Sequence, residues 1–548
     1  ITKMKKLIVL ALIAFPLFAS AQDVMTVTVD SAGHLLKQIT EAKMYKISDL
    51  TVKGQINGAD LSVIQTIASR NKVKSDTTVL LKKLDLTDAV IVEGKDGMKT
   101  KAGELPDKMF SGCKSLETIA LPNTLVSIGD NAFDGCKNLV VVTIPGSVKM
   151  IGASAFSGCK AIRELSLPQS LSQIGKHAFD GCEGLTQMDI PASVKSIGAS
   201  SFSDCVALAN VTINGNIPVL ESSLFEGCKA LASVVLPASV TEIGSAAFQN
   251  CKSLASISLP TSLKTISSHA FDGCTSLPSV VIPASVKTLG GHAFEDCGSL
   301  ADVEIDGAIS ELATATFKSC NNLKSIALPS SINTIGDNTF DGCKSLSSIT
   351  LPSSLEKIGD HAFDGCLSLT SIAVPNGVKK IGSHAFEGCK SMTSAAITGF
   401  VKEIDNDTFS GCSSLATIQL PVTLTQIDDE AFENCTSLKS IALPNAVIQL
   451  GSSAFDGCSS LTDVELSNSL KKIERGAFKD CISLTTIRCN AAIPPECKSD
   501  NVFKKINVAA CHLYVPNGCR NLYTAAKVWS LFGNISEMVL VTTIGEGK

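Results

Sequence analysis

Twenty-one cysteines and seven histidines are the residues of this chain whose types could do chemistry. At suitable spacing they would form disulfides or hold zinc. The spacing points elsewhere. Seventeen of the cysteines, Cys113 to Cys481, recur every 23 residues without insertion or deletion, each three positions after a phenylalanine. Seventeen is odd, and one slot repeated in register aligns side chains in parallel instead of facing them at each other. These cysteines are therefore predicted to be buried free thiols that act as small apolar groups. Cys489, Cys497, Cys511 and Cys519 stand at the end of the phase or outside it; disulfides among them stay open, and connectivity is not deducible from order alone. No short Cys-x-x-Cys pair or Cys/His cluster points to zinc, and no metal or cofactor is expected.

Five of the histidines, His177, His269, His292, His361 and His384, share the slot two before the repeat phenylalanine, and two pairs of them are one unit apart. Such pairs could stack closely enough to share a metal or sense acid. Other units place Asn131, Ser154, Glu430 or Ser453 there, so the slot reads as a solvent-facing position that tolerates any polar residue. Catalysis would need a nucleophile beside a base, paired carboxylates or a phosphate loop, placed where repetition breaks down. The sequence has no Gly-x-Ser-x-Gly elbow, P-loop or His-Glu-x-x-His, and no catalytic residue is assigned.

The element that positions these residues is the 23-residue unit. In the unit that starts at Cys113, Leu116, Ile119 and Leu121 form an alternating strand ended by Pro122. Leu125 and Ile128 make a second short extended piece. Residues 130–135 look like one helical turn, with Gly135 free to adopt a left-handed backbone. A single coil buries too little to offset the ordering of its backbone, so seventeen must stack, each burying its apolar side chains against its neighbours. At about 4.8 Å per coil the array would run about 80 Å.

The repeat sequences LPNTLVSIGDNAFDGCKNLVVVTIP and LPSSLEKIGDHAFDGCLSLTSIAVP resemble the BspA-like class of leucine-rich repeats. The resemblance covers residues 101–488. It implies an α/β leucine-rich-repeat solenoid of about seventeen coils, and a secreted or surface protein of host-associated bacteria. In some members it implies an adhesin for matrix proteins such as fibronectin and fibrinogen, or for neighbouring cells. Fold is fixed by such kinship far better than partner.

The flanks fit that organisation. Lys5 and Lys6, an apolar run from Leu7 to Phe18 and the small residues Ala19 to Ala21 read as a secretory signal peptide over residues 1–21, cleaved between Ala21 and Gln22. The run is too short to span a bilayer, and no span is expected in the mature chain. Residues 22–100 and 489–548 are expected to cap the exposed ends of the solenoid. The first would hold a strand at Val24–Val29, helices at Leu35–Ala42 and Leu61–Ala68, and a strand at Leu81–Leu86. In the second, Tyr514, Tyr523, Trp529 and Phe532 would form a lid.

The chain carries 47 Lys and Arg against 52 Asp and Glu, so nucleic acid is an unfavourable partner. The expected partner is a protein or cell-surface ligand, with host extracellular matrix as one case. The strand ladder is the natural surface. Its outward rungs are mostly Ser, Thr and other small residues, interrupted by Glu164, Gln187, Asn210, Asp302 and Asp463 on the first and by Asp189, Glu304, Gln419, Glu465 and Arg488 on the second. Small side chains are equally what a solvated sheet tolerates. With no aromatic platform on these rungs, sugar stacking is disfavoured within the array; a carbohydrate-binding or envelope-scaffolding role is the alternative. Three units replace the proline turn, at Ile213–Ile217, Ile305–Ile309 and Ile397–Val401, 92 residues apart. This spacing reads as inheritance from a duplicated four-coil block.

Overall fold

The computed structural model describes residues 23–69 and 80–538; residues 1–21 and the cleavage pair Ala21–Gln22 lie outside them. The chain winds as a parallel β-solenoid of about 22 turns with few helices. That exceeds the seventeen cysteine-marked coils because both flanks continue the front sheet. Asp23–Val29 pairs with Ile47–Ile56, which pairs with Lys83–Asp85, which joins Thr118–Ala120 of the array. At the other end Thr486–Cys489 pairs with His512–Val515, and that strand with Asn534–Glu537. The strands predicted near Val24 and Leu81 are present.

The helix expected at Leu35–Ala42 is instead two four-residue helices, Leu35–Gln38 and Glu41–Met44, because Ile39 and Thr40 are extended. The other helix spans Gly58–Ala68 and is closed by a reciprocal capping box between Asn57 and Asp60. The buried Asp60 carboxylate also accepts from the backbone N–H groups of Gly33 and Leu35, at 2.6 and 2.9 Å. It thereby ties the helix to the first turn of the chain.

In most coils a front strand is followed by a second short strand at the Ser127–Ile128 level, and then by the turn that carries the phenylalanine. This turn is not helical. Asn131 (φ 55°) and Gly135 (φ 70°) are both left-handed. The N–H groups of Asn131, Phe133 and Gly135 donate to Ala153, Ala155 and Ser157 of the next coil, at 2.8, 2.7 and 2.7 Å. A helix would have kept these bonds within the segment; here they form a third inter-coil ladder. The two left-handed slots recur along the array and are filled largely by Gly, Asn, Asp, Ser and His. Apart from Ser these are residues that enter this region at low cost.

The interior is one apolar column. From Phe110 to Phe478 the rings stack coil on coil and continue to Phe503, with centroids 5.0–5.8 Å apart. Beside them, each thiol from Cys136 to Cys481 donates to the carbonyl of the phenylalanine one coil back, at 3.0–3.3 Å. All 21 cysteines are unpaired. Burial pushes the Cys113 and Cys458 thiols up to about 12, which suppresses the reactive thiolate. A disulfide-exchange reagent at pH 8 should therefore titrate at most Cys519 and, more slowly, Cys497 in the folded protein, since these two alone are partly exposed. The array thiols should react only in denaturant; prompt reaction of many thiols under native conditions would contradict the packing.

The 92-residue spacing has structural consequences. Where proline follows the front strand there is no N–H to extend the ladder. In the three units named above, and again after Cys489, Asn214, Asp306, Thr398 and Asn490 donate to Ile190, Ile282, Val374 and Leu466 of the preceding coil, at 2.9–3.2 Å. Four-residue strand pairs result, such as Gln187–Ile190 with Asn210–Ile213. The second ladder is interrupted at the same coils, before Val219, Glu311 and Glu403. Gly215 lies so close to the previous coil that a Cβ there would sit 2.4 Å from the Val194 carbonyl oxygen.

Candidate functional site

The ten outward side chains expected to form a ligand surface are all exposed or partly exposed on the front sheet. They fall into separate groups. The largest gathers Glu164, Gln187, Asp189 and Asn210 around one cleft of about 530 Å³, with Thr212 on its wall. The cleft exists because residues 163–167 join no strand, so the ladder is broken between Val141–Thr143 and Gln187–Ile190. On the other side of that coil, exposed Val140 and Val141 line a second hollow with Arg163 and Glu164. Asn214 donates to the Asp189 carboxylate at 2.6 Å, and Ser233 to the Asn210 side-chain oxygen at 3.2 Å, so these two lining groups are held in place.

The second group sits at the C-terminal end. Glu465 and Arg488 are register partners, but the Arg488 guanidinium reaches diagonally to Asp463, at 2.6 and 2.7 Å, while Asn490 satisfies Glu465 at 3.0 Å. Arg488 also lies 5.8 Å from the centre of the Tyr514 ring, and Tyr514 stacks on His512 at 4.3 Å. Asp302 and Glu304 share one strand midway along the array. Gln419 stands apart, paired with Ala396.

One expectation about aromatic side chains needs correction. Tyr523, Trp529 and Phe532 are buried over the last coils, where the Tyr523 hydroxyl donates to Ala491 at 2.6 Å and the Trp529 indole to Pro495 at 2.9 Å. Tyr514 is no part of this lid. It lies in a strand of the front sheet and, by strand alternation, faces outward with His512 and Arg488. The array itself also offers an aromatic. Phe400, in one of the proline-free loops, is 66% exposed beside Lys379, Lys380 and Lys402. Its loop position was visible in the sequence; its neighbour Gly399 packs so tightly on the previous coil that a Cβ there would sit 2.5 Å from the Val378 carbonyl oxygen.

The phenylalanine-turn ridge carries the histidines. His269 and His292 stack at 4.5 Å, and His361 and His384 at 4.4 Å. Each ring Nδ1 faces the carboxylate three residues on: Asp272 at 3.1 Å, Glu295 at 2.7 Å, Asp364 at 3.2 Å and Glu387 at 2.8 Å. Burial pushes the Asp364 carboxyl above its ordinary range, opposed by its bond to His361. Among the described residues, no helix is long and apolar enough to cross a membrane.

Against known families, the BspA type leucine rich repeat region matches residues 103–232, 218–346, 310–438 and 380–508. No curated protein matches the sequence. Among solved structures, a leucine-rich repeat protein from Bacteroides ovatus is 30% identical, over 73% of this chain and 85% of that one, with a TM-score of 0.40. A leucine rich repeat protein of T. pallidum is 34% identical over 30% of this chain and 76% of its own, with a TM-score of 0.27. A leucine rich cell surface protein from Faecalibacterium prausnitzii is 26% identical over 73% and 86%, with a TM-score of 0.28.

Proposed function

Because this chain belongs to the BspA-type leucine-rich-repeat family, we propose that it is an exported recognition protein that binds a protein or cell-surface ligand, in the manner of an adhesin, on its front sheet. Members of this family are bacterial surface or secreted proteins. The reading takes residues 1–21 as the export leader and residues 22–100 and 489–548 as caps on the array at 101–488. The observation that carries it is the cleft of Glu164, Gln187, Asp189 and Asn210: a concave polar site made where the sheet opens, its amides and carboxylates directed outward. Interfaces draw most of their energy from a few residues at such a centre.

Retention of the full chain on immobilised host matrix proteins and on intact cells tests the proposal. Binding to at least one surface is expected, and the Q187K/D189K/N210K variant should lose about tenfold or more of it. Retention on no surface would overturn the recognition reading; retention indifferent to the variant would remove the cleft from it. A carbohydrate ligand is the second reading, favoured by the exposed Phe400 among lysines, and a glycan array with F400A separates the two.

A further inference from the structure

We propose that the two stacked histidine pairs are metal sites, each taking one divalent transition ion of the zinc class through two imidazoles and a carboxylate. The donor atoms of His269, His292 and Glu295 all lie within 4.8 Å of one another, and so do those of His361, His384 and Glu387. Zinc binds imidazole nitrogen at about 2.0–2.1 Å in tetrahedral geometry, which places its ligand atoms about 3.3 Å apart. Side-chain rotation by about 1 Å at each ligand closes the difference. The backbones need not move. All four histidines are held in the left-handed region and donate their N–H groups to the next coil, at 2.8–3.1 Å.

Three features separate these clusters from an ordinary polar stripe. The same donor set occurs twice, 92 residues apart, in each copy with both imidazoles and the carboxylate retained together. A further carboxylate holds the first histidine of each pair, Asp272 at 3.1 Å and Asp364 at 3.2 Å from its Nδ1, the kind of supporting contact that orients an imidazole ligand. Two imidazoles and one carboxylate are three of the four ligands of a tetrahedral ion, with the fourth position left to water. The rings are also partly exposed, which leaves an entry path from solvent. His177 provides the internal comparison. It has its own carboxylate, Asp180, at 3.5 Å, but Ser154 and Ser200 occupy the slot in the coils on either side, so it lacks a second imidazole. An ion bound between coils would staple them together.

Zinc chloride titrated calorimetrically into the full chain, after chelator treatment, tests the assignment. Uptake of about two ions per chain is expected, falling to about one in H292N and to background in H292N/H384N, with H177N unchanged. Asparagine is the substitution of choice because Asn131 and Asn338 already occupy this left-handed slot in other coils. Cobalt(II) loading should show no thiolate charge-transfer band, which excludes the cysteines as the source of binding. Absence of zinc uptake by the unaltered chain, or undiminished uptake by a correctly folded H292N/H384N, would overturn the proposal.

Discussion

Replacing Phe294 by alanine is expected to cost about 3–5 kcal/mol, the range for a large side chain removed from a core that cannot close around the gap. Phe294 is fully buried and stacks on Phe271 at 5.2 Å and on Phe317 at 5.7 Å. Its carbonyl accepts the Cys320 thiol at 3.2 Å, and its N–H donates to Thr316 at 2.9 Å. Collapse into the cavity would require the coils on either side to approach, yet their spacing is fixed by the phenylalanine-turn ladder on both sides, by the second ladder toward Phe271 and by the front sheet toward Phe317. The loss should therefore appear in the middle of the array. In a structure stabilised chiefly by contacts between neighbours, a weak interface in the middle divides one cooperative unit into two. Urea unfolding followed by hydrogen exchange should show the coils around residue 294 opening first, with a broadened or two-step transition. A single transition within about 1 kcal/mol of the unaltered chain would show that the column is not under the constraint described here.

Trp529 to alanine should cost a similar amount, again about 3–5 kcal/mol, but with a different outcome. The indole is buried, meets Phe503 edge-on at 5.5 Å and donates to the Pro495 carbonyl at 2.9 Å; truncation removes the packing and leaves that carbonyl without its partner. The lid has the array on one side only, so it can detach without unfolding the coils beneath. Limited proteolysis should cleave the variant near its C-terminal end and leave an array fragment with unchanged circular dichroism. Loss of the array together with the lid would mean that the end cap governs the stability of the whole solenoid.

The contrast between these variants shows what was legible in the sequence. Constant spacing of the Phe–Cys pairs fixed register, because identical coils bring the same slot above itself. Stacked phenylalanines, buried thiols and adjacent histidines all follow from that rule. The path of the chain within a coil does not. The segment at 130–135 resembles a helical turn by local composition, but its N–H groups find acceptors 22 residues away, in the next coil. No local preference encodes that choice.

The candidate site divides in the same way. Outward direction of Gln187 and Asp189 follows from strand alternation around buried Met188, and Glu164 is exposed beside buried Leu165 although its segment joins no strand. Their convergence on one cleft follows from the failure of residues 163–167 to pair, and the placement of Tyr514 and Phe400 on the surface from how the last strands and the Gly399 loop pack. Periodicity thus determined which residues are neighbours along the stack, since that depends only on a repeat length. Tertiary structure decided where the stack opens, which aromatics face water and which carboxylates meet which imidazoles, because those outcomes depend on backbone hydrogen bonds made between coils.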